Sequence, residues 1–262
     1  MATGDHTAMP SGDCADAFRA VRDELEACFA ERELGGALAV AHRGRIVVDL
    51  WGGYADRAGT RPWARDTLVC AFSATKGVTA ICALQALESG AFELDAPIAE
   101  YWPEFAAGGK EAITVRQCLC HQAGLPGFAE PVTPEAFYDR AAMAARIEAE
   151  RPWWTPGSRH GYHVRTFGLL LRELLARTTG RTVGEWLADR LAGPFDLDFH
   201  IGLGEAERAR CADVAPARMR AGESLSPGAS ELLRAMNEAG TATASAFGNP
   251  QLGRDYNSDR FR

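Results

Sequence analysis

Hydrophobic positions in the first part of the chain follow a helical period and then a strand period. Over residues 18–29 apolar side chains recur every three or four positions, which predicts an amphipathic helix that ends near Gly35 and Gly36. Over residues 38–50 apolar residues alternate with others, and Gly44 marks a short turn at 42–45. The N-terminal part therefore predicts a helix followed by an antiparallel hairpin.

After Ser73 the pattern changes, because nearly every residue from Val78 to Leu87 is apolar. A helix that is apolar all round is typical of a buried core element, and this one is predicted to end at Ser89 and Gly90. Later patterns predict helices over 113–121, 134–150, 167–176, 183–191 and 227–239. Residues 241–262 are rich in Gly, Asn, Pro and Ser and predict no element.

Length and charge narrow the class of protein. The 262 residues can bury a large core, and we expect a single domain over 1–262 with a disordered segment at 1–12. A net charge of -7 without a cluster of Lys or Arg argues against a nucleic-acid partner. The sequence contains no apolar run of the roughly 18 residues that a membrane span needs. The first residues also lack the apolar core of a secretory signal, so we expect a cytoplasmic location.

Cysteine spacing gives little support for a metal site. The seven cysteines are an odd number, and we expect them to be reduced and mostly buried. Cys118, Cys120 and His121 are close in sequence, but a metal site of this kind usually needs a second Cys or His pair, which the sequence does not offer. The sequence therefore predicts no metal and no other cofactor.

The stretch Phe-Ser-Ala-Thr-Lys-Gly at 72–77 holds a Ser-x-x-Lys pair at the predicted start of the core helix. Three residues are most of one helical turn, so Ser73 and Lys76 lie on one face. A lysine amine that is kept neutral can take the proton of a serine hydroxyl and make it a nucleophile. The alternative is a surface serine and lysine. Chance produces roughly 0.07 such pairs in a chain of this composition, and the buried helix behind the pair favours the catalytic interpretation.

Together with this motif, four further segments resemble the superfamily of serine β-lactamases and penicillin-binding proteins, and within it the class C-like esterases called family VIII. The segments are Leu-Asp-Ala-Pro at 94–97, His-Gln-Ala-Gly-Leu-Pro at 121–126, Trp-Thr-Pro-Gly at 154–157 followed by Tyr162, and Phe-Gly-Leu-Leu at 167–170. The similarity extends from about residue 30 to about residue 205 and keeps the order and spacing of the motifs.

The resemblance implies an α/β (α+β) β-lactamase-like fold with a helical subdomain and an antiparallel sheet, of which the N-terminal hairpin is the part clearly present. It implies that Ser73 is the acylated nucleophile, that Lys76 helps to activate it, and that Tyr162 is the tyrosine of the family's Tyr-x-Asn motif and a general base. Val164 stands at the Asn position of that motif. His163 is then a candidate substrate-binding residue, with a structural role as the alternative.

The third motif of the family, a Lys-Thr-Gly-like triplet on a later strand, is not recognisable in the sequence. Thr178-Thr179-Gly180 follows Tyr162 too closely and is typical of a helix end. Family members extend well beyond the length of this chain, so the resemblance predicts a domain truncated before its C-terminal strands. An open sheet edge would then remain, at which the chain is expected to be able to self-associate.

Two functions from different classes follow. The first is a serine hydrolase that forms an acyl-enzyme with a small ester or lactam substrate. The second is a non-catalytic fragment or pseudoenzyme of the same fold, which binds acyl ligands or a partner chain. Neither a nucleic acid nor a membrane is an expected partner. The sequence has no Gly-x-Ser-x-Gly motif, which argues against an α/β-hydrolase.

Overall fold

A computed structural model describes residues 9–216, 224–252 and 256–262 of the chain. The backbone divides into two compact units. The sheet unit holds residues 9–70, 203–216, 224 and 256–262, and the helical unit holds 71–202 and 225–252. Residues 1–8 of the segment predicted to be disordered lie outside the described residues.

Strands and helices occupy the following ranges in chain order. They are β1 (Ser11–Cys14), α1 (Arg19–Glu31), β2 (Gly35–His42), β3 (Arg45–Gly53), α2 (Ala74–Glu88), α3 (Val115–Leu119), α4 (Pro134–Tyr138), α5 (Arg140–Ala149), α6 (Thr166–Thr179), α7 (Val183–Leu187), α8 (Gly193–Phe195), α9 (Glu205–Arg210), α10 (Pro227–Met236) and α11 (Ala242–Gly248).

The sheet of the first unit is antiparallel, with the strand order β1-β3-β2. The predicted hairpin is confirmed, and Leu38 of β2 pairs with Leu50 of β3. Strand β1 was not predicted, and Ser11 pairs with Trp51. The expectation of disorder up to residue 12 is therefore wrong for Ser11 and Gly12. A short polar strand has no hydrophobic alternation to reveal it, because it is held by backbone pairing to the central strand.

Helix α1 packs on this sheet through Phe29, which is buried. Gly36 and Gly52 face each other across β2 and β3. A Cβ atom on Gly52 would lie 2.9 Å from the Phe29 ring, so the glycine there lets the ring approach the backbone closely. The absence of a side chain thus sets the position of the helix on the sheet.

The core of the second unit lies between α2, α5, α6 and α7. Helix α2 ends at Glu88 with Ser89 as its C-cap, close to the predicted end at Ser89 and Gly90, and Cys82, Ala83 and Ala86 are fully buried. The helix is not buried all round, however, because Ile81 is 46% and Leu84 is 50% exposed. The correction has a geometric reason, since α2 packs on α6 and α7 through one face, while residues 77, 81, 84 and 88 share the opposite face.

Two other helix predictions were wrong in detail. The stretch 134–150 forms two helices, because the backbone of Asp139 is extended (φ -85°, ψ 112°) and its side chain accepts a hydrogen bond from the Ala142 N–H, which starts α5 anew. Helix α11 lies in the tail for which no element was predicted, and Thr241 caps it by accepting from the Ala244 N–H. In both cases a single capping side chain decides the boundary.

Lys110, the second of the two lysines, is fully buried. Its ammonium donates hydrogen bonds to the carbonyls of Ala107, Glu148 (2.9 Å) and Glu150 (2.6 Å), so it satisfies the C-terminal end of α5. Burial lowers the pKa of Lys110, and the nearby Glu150 and Glu148 carboxylates act in the opposite direction. The side chain is therefore a structural cation.

We expect Lys110→Met to lower the free energy of unfolding by about 3 kcal/mol, because three partly buried carbonyls lose their donor. Arg151→Met is the matched control, since it removes a positive charge from an exposed neighbouring residue and is expected to cost less than about 0.5 kcal/mol. Urea denaturation of both variants measures the difference. Equal losses in the two variants would contradict the structural role of Lys110.

Candidate active site

Ser73 lies at the N-terminus of α2, and its side chain is exposed. The side-chain nitrogen of Lys76 donates a hydrogen bond of 3.2 Å to the Ser73 hydroxyl oxygen. The preceding residue, Phe72, has a left-handed backbone (φ 44°), which is rare for a residue with a side chain. The chain therefore turns sharply just before the serine, and the predicted pair is in contact.

Tyr162 also lies close to Lys76. The Lys76 nitrogen is 5.0 Å from the centre of the Tyr162 ring, which is a cation–π distance. The tyrosine is 37% exposed, so one side of it faces solvent. Three of the four residues predicted for the site therefore form one contact chain, from the serine hydroxyl through the lysine to the aromatic ring.

His163, the fourth residue, is turned away from solvent and is fully buried. Its Nε2 accepts a hydrogen bond of 3.1 Å from the Leu125 N–H, and its Nδ1 lies 2.6 Å from the Gly161 carbonyl oxygen, to which it donates as the neutral tautomer. Both ring nitrogens are thus engaged by backbone. The predicted contact with substrate has no free ring nitrogen to use, and the structural alternative accounts for every bond that His163 makes.

His121 also lies at the site, although the sequence analysis weighed it only as a metal ligand and as part of the motif at 121–126. Its ring centre lies 5.0 Å from that of Tyr162 and 4.9 Å from that of Phe167. Its Nδ1 accepts a hydrogen bond of 3.1 Å from the His163 backbone N–H. Its backbone is left-handed (φ 58°), a conformation that clusters at functional sites. The available signal was its place in the motif at 121–126, directly after a short helix.

The electrostatics around these histidines favour their neutral forms. Burial lowers the pKa of His121 to about 4, and the charges of His160 and Lys76 act in the same direction. Burial also lowers the pKa of His163 to about 4. At neutral pH the rings of His121 and His163 are therefore uncharged, and neither histidine adds a positive charge to the site.

The motif loops around the site are held together by backbone hydrogen bonds. The Gly124 carbonyl accepts from the Trp153 N–H (2.7 Å), and the His121 carbonyl accepts from the Gly161 N–H (3.1 Å). Gly124 has a φ of 76°, and a Cβ atom there would lie 2.6 Å from the Trp154 carbonyl oxygen. Only glycine fits this position, which explains the glycine of the motif in physical terms.

The described residues contain no group of three or more His, Cys, Asp or Glu side chains placed to hold a metal ion. Cys118 is buried and Cys120 is exposed, and all seven cysteines are free thiols. Burial raises the pKa of the Cys118 thiol. In the same described ranges, no helix combines the length and the apolar character that crossing a membrane requires.

Comparison with known proteins identifies the family. The family model described as "Beta-lactamase" matches residues 18–256. The chain belongs to the β-lactamase family. This result confirms the resemblance and the β-lactamase-like fold class that were predicted from the motifs.

Named relatives in this family include esterases. The esterase/beta-lactamase LipL of Mycobacterium tuberculosis is 39% identical over 216 residues, which are 78% of this chain and 50% of LipL. The crystal structure of a penicillin-binding protein homolog from Caulobacter crescentus is similar with a TM-score of 0.74 and 42% identity, over 79% of this chain and 56% of that one. A family VIII carboxylesterase is similar with a TM-score of 0.73 and 38% identity, over 90% of this chain and 63% of that one.

The chain thus spans about half to two thirds of the length of these three relatives. The motifs at 72–77, 121–126 and 154–162 all fall within the residues that the β-lactamase family model matches. The site described above is therefore built from the part of the chain that belongs to the family.

We expect the stability of the protein to fall as the pH drops from about 6.5 to about 4. The pKa of His163 is about 4 in the folded protein, whereas the ordinary value for a histidine side chain in water is 6.5. The unfolded state therefore binds more protons in this range, and acid favours unfolding. The contribution of His163 is present above pH 6.5 and amounts to about 3 kcal/mol.

His163→Gln tests this assignment, because glutamine can accept from the Leu125 N–H but does not titrate. Its stability should depend less steeply on pH between 6.5 and 4, as measured by urea denaturation at several pH values. His42→Gln, on the exposed hairpin turn, serves as the control and should keep the wild-type slope. An unchanged slope in His163→Gln would count against the assignment.

Proposed function

We propose that this protein is a serine hydrolase that forms an acyl-enzyme on Ser73 with small esters as substrates. The observation that carries the proposal is the 3.2 Å hydrogen bond between Lys76 and Ser73, together with the Tyr162 ring at 5.0 Å from the same lysine. The esterase names of LipL and of the family VIII carboxylesterase support an ester as the substrate class.

In the proposed reaction the Ser73 oxygen attacks the ester carbonyl carbon and loses its proton to a base, which is either the uncharged amine of Lys76 or the Tyr162 oxygen, with Lys76 passing the proton on. The bond between the carbonyl carbon and the leaving alcohol oxygen then breaks, and the alcohol takes that proton. Water attacks the acyl-serine next, which releases the acid and restores the serine hydroxyl. Lys76 contacts both the Ser73 hydroxyl and the Tyr162 ring, so it is suited to pass a proton between the two residues.

Esters are favoured over β-lactams by the residue at position 164. Val164 offers no side-chain amide where the family's motif has asparagine, so an amide-bearing substrate finds one hydrogen-bonding group fewer. An ester with a small acyl group depends less on such a contact. A cytoplasmic location, as expected from the sequence, would suit an esterase better than a cell-wall enzyme.

The second candidate is a non-catalytic protein of the same fold that binds an acyl ligand or a partner chain. The exposed apolar face of α2, with Ile81 and Leu84, favours it, because exposed apolar surface is typical of contact sites. In the part of the chain that the structure describes, β2 also lies at one edge of the sheet and pairs only with β3. Self-association at that edge therefore remains part of this second proposal.

Ser73→Ala tests the hydrolase proposal. We expect the folded wild type to be labelled by a fluorophosphonate probe and to hydrolyse p-nitrophenyl acetate, whereas Ser73→Ala loses the label and at least about 1000-fold in kcat/KM. Ser230→Ala, at an exposed serine of α10, is the control and should behave as the wild type. A folded wild type that takes no label at any probe concentration would support the non-catalytic candidate.

Tyr162→Phe separates the roles of the ring and the hydroxyl. Phenylalanine keeps the aromatic face under Lys76 but removes the group that is proposed to act as the base. We expect kcat for p-nitrophenyl acetate to fall by about 100-fold or more with little change in KM. A kcat within a factor of about two of the wild type would exclude the phenol as the base and leave Lys76 alone in that role.

A further inference from the structure

We propose, on the basis of the hydrolase function proposed above, that His121 is the positioning residue for Tyr162. Its carbonyl oxygen accepts a hydrogen bond of 3.1 Å from the Gly161 N–H. Its ring Nδ1 accepts a second hydrogen bond, also of 3.1 Å, from the His163 N–H. A single residue thus holds the backbone directly before and directly after the tyrosine.

Tyr162 depends on these neighbours for its position, because it forms no hydrogen bond of its own with a described residue. Its ring is in contact with Lys76, whose nitrogen lies 5.0 Å from the ring centre, and with the His121 ring at 5.0 Å. A side chain has few rotamers, so its place is set mainly by the backbone that carries it. The two hydrogen bonds to His121 therefore determine where the phenol lies relative to the lysine.

The backbone of His121 is left-handed (φ 58°). Such a conformation is uncommon for a residue with a side chain, and it persists where the surrounding structure requires it. Here the strained residue is the one that directs both a main-chain and a side-chain acceptor to the segment 161–163. The strain is therefore found at the residue that holds the tyrosine.

The ring of His121 can accept the His163 N–H only in its neutral form, with the hydrogen on Nε2. Burial holds the pKa of His121 at about 4, so this acceptor is present at neutral pH. In the described part of the chain no group accepts the hydrogen on Nε2. Nδ1 is thus the ring nitrogen through which His121 acts on the protein.

Packing offers a competing explanation, since the His121 ring also lies 4.9 Å from the centre of the Phe167 ring and could act only by filling space. Two substitutions separate the explanations. His121→Asn keeps an acceptor at the same distance from Cβ and tolerates a left-handed backbone, but it removes the ring. His121→Phe keeps a ring and removes the acceptor. If the acceptor matters, asparagine replaces the histidine and phenylalanine does not.

NMR spectroscopy can follow the position of the tyrosine without any turnover. The chain has two lysines and five tyrosines, so the NOEs between lysine methylene and tyrosine ring protons are few. Those that disappear in Tyr162→Phe belong to Tyr162. We expect the NOEs between Lys76 and Tyr162 to keep their wild-type intensity in His121→Asn and to lose intensity in His121→Phe.

His160→Phe is the matched control for this measurement. The exposed ring of His160 contacts the His121 ring, with 5.7 Å between the centres, but its nitrogens have no hydrogen-bond partner among the described residues. The NOEs of Tyr162 should therefore stay as in the wild type. If His121→Phe does not fold, His121→Ala replaces it, because alanine also lacks the acceptor.

Kinetics connect the position of the tyrosine to the reaction. With p-nitrophenyl acetate, His121→Phe should lower kcat by about 10-fold or more with little change in KM, whereas His121→Asn should stay within a factor of about three. In a Tyr162→Phe background, His121→Phe should lower kcat further by no more than a factor of about two. A residue that acts through the phenol has no effect left once the phenol is gone.

Three results would overturn the proposal. They are wild-type NOEs in His121→Phe, a larger loss in His121→Asn than in His121→Phe, and an undiminished effect of His121→Phe in the Tyr162→Phe background. An inactive wild type whose NOEs respond as expected would refute the hydrolase function and still support the positioning of Tyr162. An enzyme that is labelled on Ser73, but whose NOEs do not respond, would support the hydrolase and refute the role of His121.

Discussion

The candidate site depends on a buried neutral histidine that joins two loops. The ring of His163 connects the Leu125 N–H to the Gly161 carbonyl, and its own backbone N–H is bound by His121. Tyr162 lies in the sequence between Gly161 and His163, which are joined by this hydrogen bond. Its place next to Lys76 is therefore set by neighbours that do not react. Protonation of His163 would remove the ring acceptor to which the Leu125 N–H is bonded. The geometry of the site therefore depends on the protonation state of His163, which does not itself react.

The elements that could be predicted are those in which local pattern and tertiary structure agree. The hairpin at 38–50 carries a strong hydrophobic alternation and the helix after Ser73 a continuous apolar run. Both elements occur where they were predicted, although one face of the helix is exposed. The contact between Ser73 and Lys76 could also be predicted, because helical spacing alone brings residues three apart together. The family followed from the order of several motifs, none of which is decisive alone.

The features that were missed depend on partners distant in sequence or on single caps. Strand β1 is polar and exists through its pairing with β3. The break at Asp139 rests on one side-chain hydrogen bond. The place of His121 in the site is revealed only by its left-handed backbone and by its contact with the Tyr162 ring. His163, which follows Tyr162 in the sequence, instead has both ring nitrogens hydrogen-bonded to backbone groups. Closeness in sequence was thus a poor guide to which histidine packs against the Tyr162 ring.

The burial of Lys110 has a consequence for the chemical labelling of lysine in this protein. The chain carries its positive charge almost entirely on arginine, with lysine only at positions 76 and 110. Because the Lys110 amine is enclosed and bonded to three carbonyls, Lys76 is the one side-chain amine of the folded protein that solvent reaches. Mild reductive methylation or acylation would therefore place a spectroscopic label beside Ser73 without any engineered residue, with the chain's α-amino group as the other amine to be considered.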